Sequence, residues 1–166
     1  MHWGLVRIII VFPGTVLVFI PAVILWVSED SKFSATLATA DQLRFWLGLL
    51  IGSIGLGLSL WTVRIFKKFG EGTPAPWNPP KKLVVRGPYR CVRNPMICGV
   101  LLILLAEAIL LQSWPIAFWL VVFFMGNSIY FALIEEKDLE NRFGDDYLEY
   151  KSHVRRWIPR IRPWKQ

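Results

Sequence analysis

The chain has 166 residues, 54% of them hydrophobic, and a mean hydropathy of +0.44. That is too apolar for an ordinary soluble domain of this size, and the length allows one domain only. The net charge of +7 would suit nucleic acid, but the basic residues are placed as membrane-flanking charges, so no nucleic-acid partner is expected.

Three runs are nearly free of charge at the length a bilayer core of roughly 30 Å requires: Leu5 to Val27, Leu43 to Val63, and Met96 to Ile134, which is long enough for two passes. The expected fold is therefore all-α, an integral membrane bundle of about four transmembrane helices. The first run carries Pro13, Gly14 and Pro21, which should kink it. Arg7 near its start and Ala38-Thr39-Ala40 after it resemble a secretory signal with a small-residue cleavage site. The run is longer than a signal core, however, and Glu29, Asp30 and Lys32 separate it from the supposed cut, so it is read as a span.

The second run is rich in small residues, among them Gly48, Gly52, Ser53, Gly55, Gly57 and Ser59. Gly48-x-x-x-Gly52 lets helix backbones approach closely, and packing within the chain is expected rather than dimerisation. From Gly70 to Pro80 the prolines forbid a helix, so a semi-rigid connector is expected. A short basic-apolar stretch, Lys81 to Val85, follows. The segment Arg86 to Gly99 then has turn signals at Gly87-Pro88 and Asn94-Pro95, with Pro95 suited to the first turn of the third span.

The third and fourth spans are joined by Gln112-Ser113-Trp114-Pro115, short enough only for a tight helical hairpin. Helix four should run past Ile134 into a charged amphipathic stretch ending near Phe143-Gly144. The aromatic-basic tail that follows, with Tyr147, Tyr150, Trp157 and Trp164, is suited to the membrane surface. Nine Trp, several near predicted span ends, suit the headgroup layer. Sixteen of the nineteen Lys and Arg lie either between Arg64 and Arg93 or between Lys137 and Lys165. With four spans both segments share one face, which the positive-inside rule makes cytoplasmic, and they attract anionic lipid headgroups. Cys91 and Cys98 fit no zinc spacing; they are read as packing residues, and no metal is expected.

Two polar clusters should meet where the hairpin returns to that face. One is Arg86, Gly87, Tyr89, Arg90, Arg93 and Asn94; the other is Glu135, Glu136 and, a few turns on, Tyr147 and Tyr150. Such charges can be plain topological anchors, but the Gly-Pro-Tyr and Asn-Pro turns suggest a loop built to present groups to a ligand. Glu107, about three turns into the third span, is costly at that depth. It is either a protonated carboxyl bonded to a neighbouring helix or the lining of a pocket for a polar or cationic group of a substrate.

The stretch from Gly72 to Gly99, together with Glu135 to Pro159, resembles the membrane methyltransferases that include isoprenylcysteine carboxyl methyltransferase and the phospholipid N-methyltransferases, most closely their short bacterial members. The family motif Gly-x-Tyr-x-x-x-Arg-(His or Asn)-Pro falls on Gly87, Tyr89, Arg93, Asn94 and Pro95. Its Glu-Glu pair falls on Glu135 and Glu136, and Phe-Gly-x-x-Tyr-x-x-Tyr on Phe143, Gly144, Tyr147 and Tyr150. The eukaryotic prenyl-protein enzymes usually have His where Asn94 stands, and often Tyr where Ile97 stands.

The resemblance implies S-adenosylmethionine as cofactor, enclosed at the cytosolic face by the loop before the last hairpin and by the C-terminal segment. It places Lys81, Leu83, Val84, Gly87, Tyr89, Arg93, Asn94, Pro95, Gly99, Glu135, Glu136, Tyr147 and Tyr150 at the cofactor, with Arg93 and Glu136 as the catalytic pair. Residues 1–69 would form an N-terminal transmembrane hairpin and 70–166 the catalytic region of a single domain. Methyl transfer from a sulfonium needs donor and acceptor held together in a water-poor site and no nucleophilic side chain. The acceptor would be amphiphilic or apolar: an isoprenylcysteine-type carboxylate, a lipid amine or a small thiol. A sterol-reductase-like nicotinamide enzyme and a non-enzymatic membrane scaffold are the alternatives. The resemblance to bacterial members implies a multi-pass protein of the inner (plasma) membrane, with N-terminus, active site and C-terminus cytoplasmic and membrane lipids as partners.

Overall fold

The computed structural model describes residues 13–31, 33–70 and 82–164. Among these there are four helices and no strand, as the apolar periodicity requires: α1 (Thr15–Ser28), α2 (Leu43–Phe69), α3 (Pro95–Leu110) and α4 (Trp114–His153). The 40-residue α4 and 27-residue α2 are long and apolar enough to cross a membrane. The 16 residues of α3 span about 24 Å, less than the expected run. The connector expected at Gly70 to Pro80 falls, after Gly70, outside the described residues, as do Lys81 and the first part of the first run.

The described residues fall into two compact units, Met1–Gly57 with Gly99–Phe124 and Leu58–Cys98 with Met125–Gln166. In the first, α1 opens with a π-helical turn, Thr15–Phe19, in which Ile20 N–H donates to Thr15 O. Pro21 explains it: without an N–H and with a ring crowding the preceding turn, proline favours a widened turn over a regular one. The small residues of α2 face α3. A Cβ on Gly48 would lie 2.6 Å from Leu110 Cγ, one on Gly52 3.2 Å from Ala106 Cβ, and one on Gly55 2.7 Å from the Gly99 carbonyl oxygen. The small-residue stripe is thus used inside the chain, where it brings two helix backbones together.

The end of α3 is closed without glycine. Gln112 takes φ 47°, Ser113 N–H donates to Ala108 O, and Gln112 N–H to Ile109 O, the bond pattern of a Schellman cap. Thr36 and Ala38 N–H satisfy the carbonyls of Leu111 and Leu110, so the segment before α2 runs across this helix end and Ala38 is 2% exposed. Arg44 Nη1 donates to Gln112 Oε1 at 2.6 Å. The hairpin turn expected at 112–115 is present, with the Ser113 hydroxyl accepting from Ile116 N–H.

Two breaks shape α4. Its apolar part ends in a second π-helical turn, Phe131–Glu135, closed by Glu136 N–H on Phe131 O. Beyond it the helix is charged and lies outside the apolar stretch. It bends at Gly144 (φ 53°, ψ −129°), a conformation open essentially to glycine alone, in agreement with the expected end of the stretch near Phe143-Gly144. Trp46, Leu50, Ile54 and Trp61 of α2, and Phe118, Met125, Ile129 and Leu133 of α4, are more than half exposed. Apolar surface on this scale without protein cover marks an interaction face.

Candidate functional site

The polar cluster lies in the second unit and starts from one glycine. Arg86 is extended, Gly87 turns the chain with φ 54°, and a 3₁₀ turn follows over Gly87–Arg90. A Cβ at Gly87 would come 2.5 Å from Ile65 Cδ1 and 3.4 Å from the Trp61 ring, so the loop presses on the C-terminal part of α2. There the Arg86 guanidinium lies 4.4 Å from the centre of the Phe69 ring, and the Tyr89 ring 6.3 Å from that of Phe66.

The tail after His153 returns along this loop. Arg93 N–H donates to Arg155 O, Arg160 N–H to Cys91 O, and Trp164 N–H to Arg90 O, each within 3.0 Å. Arg90 Nε completes the set by donating to Trp164 O. The two segments pair in antiparallel sense and form a strap. Beneath it Tyr147, Tyr150, Val154 and Trp164 make a buried cluster, packed by Leu83, Val85, Leu139 and Phe143. The tail expected along a membrane surface is therefore anchored by a buried Trp164, stacked on His153 at 5.3 Å, while Trp157 packs against Phe131. Tyr150 O–H donates to the Tyr89 carbonyl at 2.6 Å, tying the two sequence motifs directly.

Glu136, 5% exposed, is the centre of the charge network. Its Oε1 lies 2.7 Å from Arg156 Nε and 3.1 Å from Arg93 Nη1, and its Oε2 3.4 Å from Lys151 Nζ. Lys151 also pairs with Glu140, and Arg156 Nη1 donates to Ser128 O. Burial opposes the charge of Glu136, but the Arg156 hydrogen bond and the charges of Arg93, Arg156 and Lys151 more than offset it and hold the carboxyl below its ordinary value. Glu135, one residue back, has no hydrogen bond or ion pair among the described residues. Burial first, then Asp138 and Glu136, push its carboxyl up to about 7. Burial likewise raises Tyr89 and Tyr150 and pushes Tyr147 up to about 12, so these hydroxyls stay protonated.

Arg93 is the most constrained cation. Its side chain is 10% exposed, and Nη1 serves Glu136 and reaches Tyr147 Oη at 3.4 Å. Its Nε is buried without a hydrogen-bond partner among the described residues. A guanidinium N–H in that state invites an acceptor, and while Glu135 is protonated the three cations around Glu136 and Glu140 leave the cluster one positive charge in excess. A small anionic group fits both facts.

The structure thus gathers Leu83, Val84, Gly87, Tyr89, Arg93, Glu135, Glu136, Tyr147 and Tyr150 in one unit, with Asn94 and Pro95 starting α3 there. Gly99 and Glu107 belong to the other unit, where Gly99 meets α2 at the Gly55 approach and Glu107 Oε2 is buried without a partner among the described residues. Arg156, Lys151 and Trp164 were not anticipated. The only cue was the Arg155-Arg156-Trp157 run after the Tyr motif, and nothing in its spacing points to Glu136.

The family description matching this chain is phospholipid methyltransferase, over residues 43–146. A Haemophilus influenzae protein described as uncharacterized is 36% identical over 63 residues, which are 38% of this chain and the whole of that protein.

Proposed function

Because the chain belongs to the phospholipid methyltransferase family, we propose that it is a multi-pass membrane enzyme that methylates an amphiphilic acceptor with S-adenosylmethionine. Family membership makes it a methyltransferase; the buried Arg93 Nε, without a partner among the described residues, is the observation that carries the cofactor assignment. S-adenosylmethionine supplies an electrophilic methyl group and brings a carboxylate, which Arg93 would hold by a charge-assisted hydrogen bond. Glu136 works through Arg93: it fixes the guanidinium while Arg156 and Lys151 fix Glu136. Tyr89, Tyr147 and Tyr150 would form the aromatic wall, with Leu83 packed beside it excluding water.

A lipid amine suits this site better than a prenylcysteine carboxylate. An amine must shed a proton to expose its lone pair, and Glu135, a buried carboxyl poised near 7, is the candidate acceptor. The sign is definite: Glu135 accepts a proton only when ionised, so turnover rises as pH passes up through about 7 and falls below it. Measured from pH 6 to pH 8 the rate should climb about tenfold, and the Glu135→Gln variant should lack that limb. A carboxylate acceptor needs no base, and a flat profile in the native protein would favour it.

The exposed apolar surfaces of α2 and α4 support insertion in a bilayer. The distribution of Lys and Arg supports a cytoplasmic position for the site and both termini, and the resemblance to short bacterial members supports the inner membrane of a bacterial cell. In detergent, calorimetry with S-adenosylmethionine and S-adenosylhomocysteine should show saturable binding that Arg93→Ala weakens at least tenfold, about 1.4 kcal/mol. Folded protein that binds neither, or binds a nicotinamide instead, would overturn the assignment.

A further inference from the structure

Backbone bonds hold the strap to the loop, but its outer side chains are uncommitted to the site. Arg155 and Arg162 are exposed, and no acidic side chain pairs with either among the described residues. Arg160 has Nη1 on the His153 carbonyl. These three arginines, with His153 and Ile161, line an open cavity of about 560 Å³. Beside it Ile161 is 100% and Ile158 61% exposed, with Pro159 and Pro163 favouring extended backbone between them.

We propose that this outer face of the strap is a binding site for an anionic phospholipid headgroup of the surrounding bilayer, separate from the methyl-transfer site. Guanidinium groups match phosphate oxygens in charge and planar geometry. Three of them with no carboxylate among them select a lipid of net negative charge over a zwitterionic one. The isoleucines identify the source of the phosphate. A free anion has no use for a fully exposed Ile161 at the cavity rim, whereas a lipid brings acyl chains into which Ile158 and Ile161 descend while the arginines stay at headgroup level. The strap would so be pinned from outside by lipid as it is pinned from inside by Trp164.

The inference rests on the membrane reading of α2, and the test separates the two. Single bimane labels are placed by Ile161→Cys or Leu50→Cys in a Cys91→Ala, Cys98→Ala chain, and the full-length protein is reconstituted in nanodiscs with spin-labelled phosphatidylglycerol or phosphatidylcholine. Both labels should be quenched. At position 161 phosphatidylglycerol should quench preferentially, and the preference should fall roughly fivefold for each of Arg155→Gln and Arg162→Gln. Quenching at 50 but not at 161 overturns the headgroup site and leaves the membrane reading standing; quenching at neither overturns both. Equal quenching by the two lipids, or a preference abolished by millimolar inorganic phosphate, also overturns the lipid site.

Discussion

The two compact units are held together by opposite means. In the first, helices approach through what is missing: Gly48, Gly52 and Gly55 let α2 lie against α3 at distances a methyl group would violate. In the second, packing is organised around groups that carry charge or donate hydrogen bonds: Glu136 with its three cations, Tyr150 on the Tyr89 carbonyl, and the bonds of the strap. Close backbone packing tolerates only smaller or equal side chains, whereas a polar network fails when any member is removed. The first arrangement suits a scaffold in lipid, where apolar burial gives little drive and van der Waals contact must substitute. The second suits the proposed cofactor site, where Arg93 would meet a carboxylate.

The sharpest way to break this contrast is at its electrostatic centre. Glu136→Ala leaves Arg93 and Arg156 without their carboxylate, which should cost about 3 to 5 kcal/mol and abolish cofactor binding, read by thermal unfolding in detergent and by calorimetry. Next in size is the steric test in the first unit. Gly55→Ala drives a Cβ toward the Gly99 carbonyl and Leu102 and should cost about 1 to 3 kcal/mol. Gly57, with open space around it, should accept alanine with a gain of up to about 1 kcal/mol; equal losses at both positions in chemical denaturation would show that proximity to α3 is not what selects glycine. The smallest effect is expected at the link between the motifs. Tyr150→Phe removes one buried hydrogen bond, worth about 1 kcal/mol, and should loosen the Tyr89 turn enough to raise the Kd for S-adenosylhomocysteine severalfold.

Much of the second unit was legible because its residues announce local backbone needs. Gly87 and Gly144 each take positive φ, Pro95 starts a helix as its missing N–H allows, and the Glu135-Glu136 pair interrupts an apolar run where the helix turns polar. The roles within the pair were not legible. Adjacent glutamates look alike in sequence, yet the π-helical turn ending at Glu135 precedes a residue that faces three cations, while Glu135 itself pairs with none among the described residues. Glu107 was visible as a charge in an apolar helix, and its packing inside the first unit was not.

By itself the sequence determined what depends on neighbours along the chain: the apolar lengths of α2 and α4, the small-residue stripe, the turns at Gly87 and Gln112-Ser113, and the end of the charged stretch at Gly144. Backbone sterics and hydropathy act over a few residues, so a string of letters carries them. Only the tertiary structure decided that Arg156 and Lys151 join Arg93 on Glu136, that Tyr150 holds the Tyr89 carbonyl, and that the tail doubles back as a strap. Those pairings join residues 15 to 74 positions apart, and charge or hydrogen-bond capacity names a need without naming the partner that meets it.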